Sequence, residues 1–131
     1  MPYRDLVIIP DDTTGVMARI GKALADHDIN IEGLSAFTGQ GKGVIHVLVD
    51  EPEKAHKALA EGGFDVKAMR RVVIIDVEDE PGVLGTISQK LADAGINIQQ
   101  AYVATGTATA TRLVLAVDDV DQAKRVLDLE S

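Results

Sequence analysis
The stretch from Asp79 to Ile98 repeats an earlier one, Asp12 to Ile31, sixty-seven positions upstream (79 − 12). Between Gly15–Ile31 and Gly82–Ile98, nine of seventeen aligned residues are identical: Gly15/Gly82, Val16/Val83, Ile20/Ile87, Leu24/Leu91, Ala25/Ala92, Asp26/Asp93, Ile29/Ile96, Asn30/Asn97 and Ile31/Ile98. An unrelated pair at average amino-acid usage would share roughly one. The chain therefore reads as a duplication, two copies of one supersecondary unit, and any fold proposed for it has to be built twice.

Divided between the copies, 131 residues leave two units, 1–70 and 71–131, each near the lower limit for a stable core. With two Tyr, two Phe and no Trp, those cores have to come from Val, Ile, Leu and Ala. The formal net charge is −8 and the longest basic run is Arg70-Arg71, which excludes the footprint of a nucleic-acid or anionic-membrane binder. Without cysteine there is no disulfide framework, thiolate nucleophile or Cys-based zinc site. Met1 to Asp5 lacks the apolar run of a signal peptide, and runs such as Val72 to Ile75 are too short to span a bilayer, so the expectation is a soluble cytoplasmic protein.

In chain order, Leu6 to Ile9 is a β-branched run closed by Pro10-Asp11-Asp12, a strand and its turn. Val16, Met17, Ile20, Leu24 and Ala25 have helical spacing, with Asp12, Thr13 and Thr14 offering capping oxygens before them and His27-Asp28 ending the helix. Ile29 to Phe37 and Val44 to Val49 flank Gly39-Gln40-Gly41-Lys42-Gly43 as a hairpin. A helix opens at Glu51-Pro52 with Ala55, Ala58 and Leu59 on one face and ends at Gly62-Gly63, and Phe64 to Met69 alternates as a fourth strand. The second copy follows suit: strand Val72 to Val77, helix Pro81 to Ala94, strands Ile96 to Ala104 and Thr111 to Val117, helix Val120 to Leu129. Its hairpin turn, Thr105 to Ala108, carries one extra residue, and its last strand is missing. The fold class is α+β: two tandem ferredoxin-like βαββαβ units, antiparallel sheets with helices on one face. The other face, with Val44, His46 and Leu48 or Arg112, Val114 and Ala116, is too apolar to stand open to water.

At these residues the chain resembles the ACT domain, a small regulatory module of amino-acid metabolism. Asp79-Glu80-Pro81-Gly82-Val83-Leu84 is similar to the family's turn from first strand to first helix, and Gly95-Ile96-Asn97-Ile98 to its entry into the second strand. The first copy keeps Gly15-Val16 and Ile29-Asn30-Ile31 but has Thr14 where the family usually has Pro. The resemblance implies units paired side by side through their second strands, a small amino acid as ligand, and a regulated enzyme as partner. It also implies that Asn30 and Asn97 each reach a ligand held by the neighbouring copy's turn. Asp79, Gly82, Val83 and Leu84 would then share one site with Asn30, and Asp12, Gly15, Val16 and Met17 a second with Asn97; the first is preferred for its Pro81-Gly82.

The physical chemistry agrees with a ligand there. A helix start offers unpaired N–H groups and about half a positive charge to an α-carboxylate, and glycine lets a ligand approach the backbone. Asp12, Asp79 or the carbonyl oxygens of the same turn could take its ammonium. Each residue also has a plain alternative: helix caps for Asp12 and Asp79, a tight turn for Gly15 and Gly82, an Asx turn for Asn30 and Asn97.

Catalysis finds little support. His27, His46 and His56 have no repeated spacing, Ser35 and Ser88 have no histidine at a suggestive distance, and no phosphate loop, nucleophile elbow or dinucleotide fingerprint occurs. The expectation is a non-enzymatic regulator without cofactor or metal. The alternative is a ligand-free interaction module or regulatory subunit of a biosynthetic enzyme. An apolar edge strand at Val72 to Val77 predicts a homodimer or higher oligomer, unless Phe64 to Val77 forms one long strand.

Overall fold
The computed structural model describes residues 3–108 and 110–129. The chain divides into two compact units, Met1–Arg70 and Arg71–Ser131.

Unit 1 runs β1 (Arg4–Ile8), α1 (Val16–Ala25), β2 (Gly33–Gly39), β3 (Lys42–Val49), α2 (Pro52–Glu61) and β4 (Val66–Arg70). β1 pairs antiparallel with β3 on one side and β4 on the other, and β3 pairs with β2, giving the ferredoxin-like order β4-β1-β3-β2. Gln40 and Gly41, at φ 53 and 78, make the two-residue connection between Gly39 and Lys42. Two left-handed residues in succession match the right-handed twist of the strands they join.

The helices lie on one face. Leu6 and Ile8 of β1 and Ile45, Val47 and Val49 of β3 meet Val16, Ile20 and Leu24 of α1 and Ala55, Ala58 and Leu59 of α2, with Phe64 at the margin. Each fully buried Leu or Ile contributes about 1.5–3 kcal/mol by leaving water, which is what holds so small a unit together. Alternation puts Asp5, Val7, His46 and Leu48 on the opposite face, and all four are buried. The apolar second face expected from the sequence is therefore out of water over β1 and the latter half of β3, while Val44 is half-buried and its partner Phe37 exposed.

Unit 2 runs β5 (Val73–Glu78), α3 (Val83–Asp93), β6 (Ile98–Ala104), β7 (Ala110–Val117) and α4 (Val120–Val126). β7 is central, antiparallel to β5 and β6. Val73, Leu113, Leu115 and Val117 pack on Ile87, Leu91 and Ala123. Tyr102 and Val114 stand opposite each other as Ser35 and His46 do in unit 1, so the extra residue of this copy is taken up in the turn, as expected.

The helix termini correct several boundaries. All four helices close with the same pair of backbone bonds: Asp28 and Ile29 donate to Ala25 and Leu24, Gly63 and Phe64 to Ala60 and Leu59, Gly95 and Ile96 to Ala92 and Leu91, Asp128 and Leu129 to Arg125 and Lys124. Asp28, Gly63, Gly95 and Asp128 are left-handed, as this closure demands. Ile29 and Ile96, expected as strand residues, are instead the apolar plugs of that closure, both buried, and β2 and β6 begin only at Gly33 and Ile98. Likewise α3 starts at Val83 instead of Pro81, and α4 ends at Val126 instead of Leu129. Phe64 to Val77 is no single strand, since β4 ends at Arg70 and β5 starts at Val73.

Candidate ligand-binding site
The two repeated turns have one geometry. Gly15 (φ 89, ψ 2) and Gly82 (φ 89, ψ −7) are the N-cap residues of α1 and α3, both left-handed, and neither helix has a side-chain cap. This overturns the capping role expected of Asp12, Thr13, Thr14 and Asp79. An N-cap side chain reaches its helix from an extended backbone, and here that position belongs to a left-handed glycine with no side chain to offer. Val16 donates instead to the Thr13 carbonyl and Val83 to that of Glu80, both at 3.4 Å. α4 shows the contrast, because its Asp119 accepts from the Gln122 amide at 3.0 Å. Beyond Val16 and Val83, the first-turn N–H groups of α1 and α3 meet no side-chain cap, and they keep the partial positive charge of a helix start.

In unit 1 this turn borders a cavity of about 270 Å3. Asp12, Gly15, Val16 and Met17, four of the residues singled out in the sequence, line it, along with Asp11 and Thr13. The facing wall comes from β2 and β3: Ala36, Phe37, Thr38, Gly43 and Ile45, which the sequence did not reveal as site residues. Phe37 carried a usable signal, a large apolar side chain four residues before Gly41. It is 59% exposed, and Met17 is 40% exposed. A Cβ on Gly15 would meet nothing within 4 Å, so the space above that turn is open.

The other candidates fall as follows. Thr14, Asp79, Glu80, Pro81 and Gly82 are exposed, Val83 is half-buried with its side chain against the core of unit 2, and Leu84 is 50% exposed. Pro81 precedes the N-cap Gly82 and so lies outside the helix it was expected to open. Asn30 precedes β2 and donates through Nδ2 to Glu32 Oε1 at 3.3 Å. Asn97 precedes β6, where its amide donates to an Asp118 carboxylate oxygen at 3.1 Å and its carbonyl accepts from the Asp118 amide.

The imidazoles are dispersed. His27 pairs through Nε2 with Glu61 at 2.7 Å, His46 through Nδ1 with the buried Asp5 at 2.7 Å, and His56 is exposed on α2. Among the described residues no group of three or more His, Cys, Asp or Glu side chains could hold a metal ion, and no helix is long and apolar enough to cross a membrane.

An uncapped, glycine-led helix start repeated on two ferredoxin-like units defines a tandem α+β module with ligand-sized space beside at least one turn. The chain belongs to the ACT-domain family, whose pattern matches residues 6–61 and again 71–130. Its fold is similar to that of protein BT0572 from Bacteroides thetaiotaomicron, at 26% identity and a TM-score of 0.87 over 98% of this chain and 88% of that one. It is also similar to the regulatory subunit of aspartate kinase from Thermus thermophilus in its ligand-free form, at 20% identity and 0.72 over 97% and 91%. The Thermus flavus regulatory subunit gives 19% identity and 0.69 over 98% and 92%. No curated protein sequence matches the chain.

Proposed function
We propose that the protein is a non-enzymatic regulator that binds a small amino acid at the Gly15 turn and signals its presence to a partner enzyme. The observation that carries this reading is the cavity against the uncapped start of α1. The ligand's α-carboxylate accepts hydrogen bonds from the first-turn amides of Met17 and Ala18, its ammonium faces Asp12, and its side chain rests on Met17 and Phe37. Gly82 and Val83 repeat the geometry of Gly15 and Val16 and, with Asp79 and Leu84, are proposed as a second carboxylate-binding turn, with Asn30 and Asn97 as side-chain amides for the ligands. The aspartate kinase subunits of the same fold make an enzyme of amino-acid synthesis a reasonable class of partner.

A thermal-shift screen of the twenty amino acids tests the reading. One or a few should raise the melting temperature, since ligand at about 100 Kd adds about 2.7 kcal/mol to the folded state. Phe37→Ala should reduce that response. If no amino acid shifts the transition, the sensor reading fails. The rival reading, a ligand-free interaction module, then gains from the large apolar side chains left on the surface, with Leu34 and Phe37 of β2 at 41% and 59% exposure. Assembly as a homodimer is proposed on the same ground, and a strictly monomeric species by light scattering at micromolar concentration would count against it.

A further inference from the structure
Unit 1 has another cavity, of about 450 Å3, where the end of β1, the body of α1, the first residue of β3 and the segment entering β4 converge. Its volume lies in the ordinary range for small-molecule sites. Arg19, Lys42 and Lys67 border it, with Asp11 and Asp65. Three positive charges against two negative make this spot locally cationic on a chain whose formal net charge is −8.

The two lysines already have partners. Lys42 donates to Asp11 and Lys67 to Asp65 at 2.8 Å, and these bonds hold both carboxyls below their usual range. Arg19 differs. Among the described residues no carboxylate pairs with it, and its guanidinium lies over the Phe64 ring, 5.1 Å from the centroid. Phe64 is a core residue, so the ring is a fixed platform. A guanidinium held by its face keeps its N–H edge for a planar or tetrahedral oxyanion.

The duplication shows that the fold does not need Arg19 or Lys42. Thr86 stands where Arg19 does and Ala110 where Lys42 does (offsets 67 and 68), yet α3 forms from the same glycine turn and buries Ile87 and Leu91 as α1 buries Ile20 and Leu24.

We infer that this cavity is a distinct binding site for a small organic anion, with its carboxylate or phosphate oxygens on the Arg19 guanidinium, Lys42 and Lys67 alongside, and its apolar body against Ile8 and Phe64. This goes beyond the amino-acid reading, whose site uses backbone amides, and it stands if that reading fails.

The test is a low-salt NMR titration of the 15N-labelled chain with inorganic phosphate, succinate and butyrate in turn. At least one should bind saturably and move the amides of residues 8–11, 19, 42 and 63–67. Phosphate alone binding names a phosphorylated ligand, and succinate or butyrate a carboxylate. Arg19→Gln and Lys67→Gln, both at exposed positions, should each weaken binding by about tenfold or more, the loss of a charge-assisted bond. Arg125→Gln on α4 and Phe37→Ala should leave it unchanged, which separates this site from the amino-acid site. No saturable binding by any of the three, or binding that survives both Arg19→Gln and Lys67→Gln in folded protein, overturns the assignment.

Discussion

At the scale of single residues, the duplication works as a set of substitutions already tried. Asp5 and His46 form a buried pair at 2.7 Å on the face of the sheet away from the helices. Carrying the repeat through the strand registers puts Val72 and Val114 at the same two places in unit 2, and both valines are buried. A buried ionisable pair is weakly stabilising at best, whereas removing one member takes a hydrogen bond from the other in a dry setting. His46→Val alone should therefore cost about 3 kcal/mol, and Asp5→Val with His46→Val should recover most of it, as read from urea midpoints. An additive loss in the double variant would refute the argument. A second residue-scale expectation concerns acid. Arg112 grips Asp76 with two hydrogen bonds, at 2.8 and 3.1 Å, and holds its carboxyl below the ordinary value of 3.8. A carboxylate depressed on folding stabilises the protein above its unfolded pKa, and that contribution fades as pH falls through the folded value. Both side chains are partly solvated, so it is worth about 0.2–1 kcal/mol. Asp76→Asn should lose less stability than the parent between pH 7 and pH 3.

At the scale of elements, the strands, helices and their order were legible because hydrophobic spacing is set by which face is buried, and both copies bury theirs. The ends of the elements were less so. Asp12-Thr13-Thr14 has the composition of an N-cap, and only the backbone shows that Gly15 holds the position instead. Ile29 reads as strand by β-branching, but the closure of α1 draws it inward as a plug. The candidate turns were legible as Gly15 and Gly82 because they recur; the wall facing the Gly15 turn was not, because Ala36, Phe37 and Ile45 come to it through strand pairing. Arg19, Lys42 and Lys67 are separated by more than twenty residues each and meet only through the fold. Packing between α1 and α2 is similarly silent in the sequence. Gly62 sits where a Cβ would lie 2.9 Å from the Cβ of Ala23, with an ordinary φ of −79. Gly62→Ala should cost about 1–3 kcal/mol by overpacking. Ala23→Gly in the same chain should return part of that loss, and a Gly62→Ala variant as stable as the parent would show that the helices can part freely.

At the scale of the whole molecule, one module has been kept twice and altered mainly where the fold is indifferent. Both copies retain the left-handed glycine, the buried helical stripe and the same helix closure, while the cations beside α1 and the buried polar pair belong to the first copy alone. The first copy also holds two cavities with a shared wall: Asp11 and Thr13 line both, and the Asp11 carboxylate is already engaged by Lys42. A wall common to two ligands is a thermodynamic coupling. An anion that draws Lys42 toward itself leaves the Asp11 charge to reinforce Asp12 against an ammonium on the other side, so each ligand should tighten the other by the same factor, as reciprocity requires. Titrating the amino acid with and without saturating anion, and then the reverse, should give equal ratios of Kd, and a ratio of one in both directions would mean that Asp11 does not move.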